Sequence, residues 1–216
     1  MELHTMIEDI KQHLKTYFEN ETYLDDETGY TKDGRGVDWM IANLLPKVEK
    51  LIDTNIHKTC LDIGSAQGYF TRKLNTYFDL TYGIDFSENR INYAKKYESE
   101  TMKFVTADLT ENLKTKLNMK FDFMFTNAVL PHIPAQFKKD VFKNLAEVAN
   151  QGCIFAIYDG MVESGIEDSF NGWKPGHHIK VSFFSKEWLE NNATDWEILE
   201  INNISNQTEE IILKRR

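Results

Sequence analysis

Three aspartates stand at intervals through the middle of the chain, each closing a short apolar run: Asp62 in CLDIG, Asp85 in YGID and Asp108 in FVTAD. A carboxylate only accepts hydrogen bonds and can take two O–H donors at once, which suits a ribose diol. Asp85 lies seventeen residues beyond Gly68, close to the spacing of about 20 at which an acid reaches the ribose of a nucleoside cofactor. Asp108 is placed to accept from an adenine amino group. Between the first two acids runs Gly64-Ser65-Ala66-Gln67-Gly68. Glycines where a strand hands over to a helix let the backbone come close to a ligand, and the helix start offers unpaired N–H groups. The dinucleotide fingerprint G-x-G-x-x-G needs a glycine two residues after the first, and Ala66 stands there. The pyrophosphate-hugging turn is therefore missing, which weighs against a nicotinamide dehydrogenase.

These residues need a scaffold that brings strand ends together. From residue 58 strand-like and helix-like segments alternate: KTCLDIG (58–64), YFTRKLNTYF (69–78), LTYGID (80–85), SENRINYAKKYE (87–98), MKFVTAD (102–108), FDFMFTN (121–127), PAQFKKDVFKNLAEVAN (134–150) and GCIFAIYD (152–159). Ser87 suits a helix N-cap, and Phe137, Val141, Phe142 and Leu145 have core spacing. Such alternation predicts a parallel sheet with helices on both faces. A helix at 185–192 is followed by WEILEIN (196–202) and EEIILKR (209–215), whose short polar connection predicts an antiparallel hairpin. The expected fold is a Rossmann-like, doubly wound α/β domain. It has a mostly parallel seven-stranded sheet, a C-terminal antiparallel hairpin and N-terminal helices. One domain over 1–216 is expected, with a helical cap over 1–50 and the core over 58–216. In the cap, Ile7, Ile10, Leu14, Tyr17 and Phe18 have helical spacing, a polar break follows at DDETGYTKDGRG, and VDWMIANLLPKVEKLI reads as a further helix.

CLDIGSAQGYF, YGIDFSENRINYAK, FVTADL and FDFMFTNAVLPHIP resemble, in order and spacing, the class I S-adenosylmethionine-dependent methyltransferases of the small-molecule type. The resemblance covers roughly residues 58–160. It implies that Asp62, Gly64, Ser65 and Gly68 surround the methionine part of S-adenosylmethionine. Asp85 and Phe86 would then serve the ribose side, Asp108 and Leu109 the adenine, and Asn127 the sulfonium region.

Relatives that methylate amino groups of bases or of glutamine carry N/D-P-P-Y/F after the fourth strand, whereas this chain has Asn127-Ala-Val-Leu. VLPHIP instead resembles the L-H-H-I stretch of small-molecule enzymes, and His132 corresponds to its final histidine. An imidazole can take a hydroxyl proton near neutral pH, so His132 is the candidate base. The expected acceptor is a small-molecule hydroxyl, with a sugar or activated sugar in view; a small amine is the nearest rival. From another class, a non-catalytic methyltransferase-like binding subunit is the alternative.

Asp159, at the end of the fifth strand, and His177 and His178, in the long stretch before the next helix, are candidate acceptor contacts. Adjacent histidines on extended backbone point oppositely and chelate poorly, and no metal is expected. Arg35 and Tyr30, in the polar N-terminal break, complete the candidate substrate set. The chain has 216 residues and a net charge of -9, which disfavours nucleic-acid backbones and anionic membranes as partners. No run of about 18 apolar residues occurs, and the acidic start of the chain does not read as a signal peptide. The two cysteines, Cys60 and Cys153, read as reduced core thiols in a cytoplasmic protein. A homodimer is left open.

Overall fold

Five parallel strands follow from apolar runs too short for helices and hydrophobic on both faces. They are β1 (Thr59–Ile63), β2 (Leu80–Asp85), β3 (Met102–Thr106), β4 (Phe121–Asn127) and β5 (Ala149–Asp159). The computed structural model describes residues 37–162, 165–174, 177–205 and 208–216, and their side chains except 37–38 and 167–180. Two further strands, β8 (Trp196–Ser205) and β9 (Thr208–Arg215), complete a seven-stranded sheet of order β3-β2-β1-β4-β5-β9-β8. Pairing is parallel from β3 through β5 and antiparallel at β5–β9 and β8–β9. Strand order reverses between β1 and β4, and ligands of open α/β sheets bind in the crevice at such a switch point.

Helices cover both faces. One core joins Ile63, Met124, Phe155 and Ile157 to Val141, Phe142 and Leu145 of α6 (Ala135–Glu147). The other joins Cys60, Phe125 and Tyr158 to Phe70 and Leu74 of α3 (Tyr69–Leu74), and to Leu44 and Val48. Here VDWMIANLLPKVEKLI forms two helices, α1 (Val37–Asn43) and α2 (Leu45–Leu51), with Pro46 in the first turn of the second. Proline has no N–H to continue the first helix but is tolerated at the start of the next. Helices α4 (Glu88–Ala94), capped by Ser87, and α5 (Leu113–Leu117) follow β2 and β3. The expected helix before residue 20 and the polar break after it lie outside the described residues.

Between Met161 and Ser185 the long stretch before the next helix carries strands of its own. Strands β6 (Ile166–Lys174) and β7 (His177–Phe184) pair antiparallel as a separate hairpin, from Ile166↔Phe184 outward, and α7 (Lys186–Asn192) follows behind the Ser185 cap. Cys60 and Cys153 are buried and free. Among the described residues no helix is long and apolar enough to cross a membrane.

Phe104 of β3 explains two glycines. A Cβ on Gly83 would lie 2.7 Å from its ring and 2.9 Å from Ser65 Cβ, and one on Gly68 would lie 2.6 Å from the same ring. Gly83→Ala is therefore expected to overpack this corner and lower unfolding stability by about 1–3 kcal/mol, measured by urea denaturation. An unchanged midpoint would show that Phe104 yields without cost.

Candidate functional site

The loop after β1 is built by backbone bonds to the end of β2. Gly64 N and Ser65 N both donate to Ile84 O, at 2.8 and 2.9 Å. Ala66 N donates to Asp85 Oδ2 at 3.1 Å, and Ser87 N to Asp85 Oδ1 at 2.9 Å. Gly64 and Gly68 hold φ of 75° and 78°, and Ala66 holds 48°, a left-handed conformation that an L side chain adopts only under constraint. A Cβ on Gly64 would meet Val129 Cγ2 at 2.2 Å, so glycine is required there on two counts. Thr126 Oγ1 donates to Ile63 O at 3.2 Å and ties the ends of β1 and β4.

A cavity of about 230 Å³ opens at this edge. Seven of the residues singled out in the sequence line it: Gly64, Asp85, Phe86, Asp108, Leu109, Asn127 and His132. Its volume lies below the roughly 300–1,000 Å³ of a whole small-molecule site, so it matches one portion of a ligand pair rather than donor and acceptor together. Asp62, Ser65 and Gly68 support the loop without lining the cavity. Asp62 is buried and accepts from Thr71 Oγ1 at 2.5 Å. Ser65 is buried with its Cβ towards Gly83. Gly68 stands at the N-terminus of α3. Asp108 Oδ1 accepts from Thr110 N and Oγ1, both at 2.8 Å.

Burial sets the electrostatics. Desolvation pushes Asp62 up to about 7 against its Thr71 bond, and the neighbouring Asp85 adds to the rise. Asp85 is also raised by burial, although Arg90 and the amides of Ser87, Ala66 and Phe86 pull it down. His132 moves the other way. Burial, then the charges of Lys138 and Arg90, hold it down to about 4, so its imidazole is neutral at neutral pH.

Asp159 falls outside the cavity lining. It is buried at the end of β5, behind the turn that carries His132, and among the described residues neither oxygen has a hydrogen-bond partner. Burial raises it to about 7, opposed by Lys138 and by the amides of Leu130, Ala128 and Val129 that face it. His177 and His178 occupy the start of β7 opposite Lys174 and Gly172, and their side chains lie outside those described. Arg35 and Tyr30 likewise lie outside the described residues. The described residues contain no cluster of three or more metal-ligating side chains.

Two residues went unnoticed in the sequence. Arg90 lines the cavity from α4, and Lys138 is buried on α6. Lys138 had a signal, because residues 138, 141, 142 and 145 share the i, i+3, i+4, i+7 stripe that α6 turns inward.

Residues 55–209 match a family model described as a methyltransferase domain. Phosphoethanolamine N-methyltransferase 3 of Arabidopsis thaliana is 27% identical over 143 residues, covering 63% of this chain and 28% of that protein. The chain thus spans little more than a quarter of the length of that curated relative. A protein from Pyrococcus horikoshii OT3 superposes with a TM-score of 0.71 at 18% identity, over 94% of this chain and 99% of that one. A complex of DhpI with SAM and HEP gives 0.66 at 18% identity, over 96% of each. The glycopeptide N-methyltransferase MtfA with S-adenosylmethionine gives 0.64 at 8% identity, over 81% of this chain and 93% of that one. At these identities the likeness is one of fold.

An acid whose pKa is raised on folding contributes stability below its unfolded pKa and loses it as pH climbs through the folded one. For Asp159 that window runs from an ordinary 3.8 to about 7. The melting temperature of Asp159→Asn, relative to the parent, should therefore move in the variant's favour from pH 4 to about 7 and then level off. A flat difference across that range would show that Asp159 is ionised throughout.

Proposed function

The chain belongs to the methyltransferase-domain family, and on that premise we propose that it transfers a methyl group from S-adenosylmethionine to a small molecule, with an amine as the acceptor its site suits best. The observation that carries the donor is Asp85 on the cavity wall, its carboxylate fixed by the amides of Ala66 and Ser87 beside the bare Cα of Gly64. Such an acceptor suits the ribose diol of S-adenosylmethionine. The residues present fit it. Asp85 offers acceptors for ribose hydroxyls, Phe86 and Leu109 offer apolar flanks for a purine, and the bare Cα of Gly64 leaves room for close approach. A dinucleotide fits poorly, because the amides of residues 64–66 are already spent inside the protein and leave no nest for a pyrophosphate.

When bound, S-adenosylmethionine supplies an electrophilic methyl group and departs as a neutral thioether, so no acid is required. The protein's task is to hold donor and acceptor in line, which can supply about 7–11 kcal/mol. A hydroxyl acceptor also needs its proton removed, and a histidine held near pKa 4 is a weak base for that step. An uncharged amine already presents a lone pair, and neutral His132 on the cavity wall can orient it by a hydrogen bond. The Arabidopsis relative, named for an amine substrate, supports the same choice. A hydroxyl acceptor remains the second candidate, because His132 does line the cavity and N-P-P-Y is absent.

Incubation with methyl-¹³C-labelled S-adenosylmethionine and phosphoethanolamine, followed by NMR of the product, tests both parts. An N-methyl resonance supports the amine, and labelled methyl appearing on oxygen of a hydroxylated acceptor panel would replace it. Asp85→Ala removes a charged acceptor worth about 1.5–3 kcal/mol per hydrogen bond. Calorimetry should show S-adenosylmethionine binding weakened by about 10- to 150-fold. Undiminished affinity would overturn the donor assignment.

A further inference from the structure

Lys138 is the most costly side chain near the site. Its residue is 1% exposed in the middle of an apolar helix face, and an ammonium taken out of water must be compensated by its surroundings. Its compensation comes from groups on three separate elements. Nζ donates to the carbonyl of Leu130, inside the 3₁₀ turn Leu130–His132. It stands 5.6 Å from the ring centroid of Phe184 on β7, the strand that packs on that turn. Its charge also draws on Asp159 at the end of β5.

The turn it holds needs holding. Ala128 has φ of 54°, Val129 presses on the bare Cα of Gly64, and the turn's own ties are His132 N to Val129 O and Ile133 N to Leu130 O, at 3.0 and 3.1 Å. This short stretch carries Asn127, Val129 and His132, all on the cavity wall. We propose that Lys138 is a positioning residue for methyl transfer, a buried cation that clamps the 128–132 turn from behind through Leu130 and so fixes where His132 and Val129 meet the ligands. It acts through the turn and lines no part of the cavity itself. The proposal rests on the methyl-transfer function assigned to that cavity. Among the described residues, the charged groups that lower His132 are Lys138 from α6 and Arg90 from α4.

Lys138→Met keeps the aliphatic stem and removes the charge, and Lys138→Gln keeps a donor for Leu130 without charge. Lys139→Met, on the exposed side of the same helix, is the control. NMR titration of His132, assigned by comparison with His132→Gln, should show its pKa rising by at least half a unit in both Lys138 variants. Amide exchange at His132 and Ile133 should accelerate at least tenfold in Lys138→Met and less in Lys138→Gln, while amides in β1 and β4 keep their protection. S-adenosylhomocysteine, measured by calorimetry, should bind the Met variant several-fold more weakly than the parent. A folded Lys138→Met with parental His132 titration, or with parental exchange in the turn, overturns the proposal. Uniform loss of protection across the sheet also overturns it, since that would mark Lys138 as a packing residue. If Lys138→Met fails to fold, the same measurements on Lys138→Gln decide. Failure of the parent to bind S-adenosylhomocysteine would instead strike the methyl-transfer assignment and leave the NMR result standing.

Discussion

Three consecutive amides shape this site more than any side chain does. Gly64 and Ser65 donate to the last-but-one carbonyl of β2, and Ala66 donates to the carboxylate that ends it. The course of the loop and the position of Asp85 are thus one structural fact. Because buried backbone donors must be satisfied, the loop cannot drift without leaving N–H groups orphaned. The Gly64–Val129 contact extends the constraint to β4, so three strands register a single edge. Ala66 at φ 48° is the strained member, and local strain of that kind persists where neighbours over-determine the backbone.

The buried charges follow from that rigidity. Water is excluded from the carboxyl edge, so Asp62, Asp85 and Asp159 are all raised and His132 is lowered. Each shift disfavours a charged state that the fold nonetheless retains the group to form or to approach. On the β1–β2 side two acids are buried together, with Arg90 acting on Asp85. On the β4–α6 side the buried acid is met by Lys138, whose charge reaches both Asp159 and His132.

Much of this was legible in the sequence, for identifiable reasons. The seven strands of the main sheet and their order of appearance came from run length and alternation, and the edge residues came from glycines and acids at strand ends, where residue type is tied to backbone geometry. Asp85 and Asp108, read as acids at strand ends, and Asn127 and His132, implied by the family resemblance, all line one cavity. Asp159 does not, because a position at a strand end does not say on which side of the following turn the carboxylate is buried. The β6–β7 hairpin, paired from Ile166↔Phe184 outward, was not read from the sequence, because IEDSFNGWK over β6 shows no apolar run like those of the main sheet. Lys138 was hidden for a different reason. Its spacing placed it on the core face, but its charge argued for solvent.

The donor and acceptor halves of the crevice are therefore specified by different physics. The donor half depends on main-chain geometry: positive φ values, amides closed onto β2, a glycine without room for a Cβ. Such requirements admit few residue types at Gly64, Gly68 and Gly83, where a Cβ would strike Val129 or Phe104. The acceptor half depends on which side chains are buried behind one short turn, and many combinations can hold a turn. Substitution at Lys138, Asp159 or Phe184 alters what the turn presents and reaches the donor loop through the Val129–Gly64 contact. On the proposed function, the identity of the acceptor is to be sought on the β4–α6 side of the crevice, where the 128–132 turn sets what the cavity wall presents.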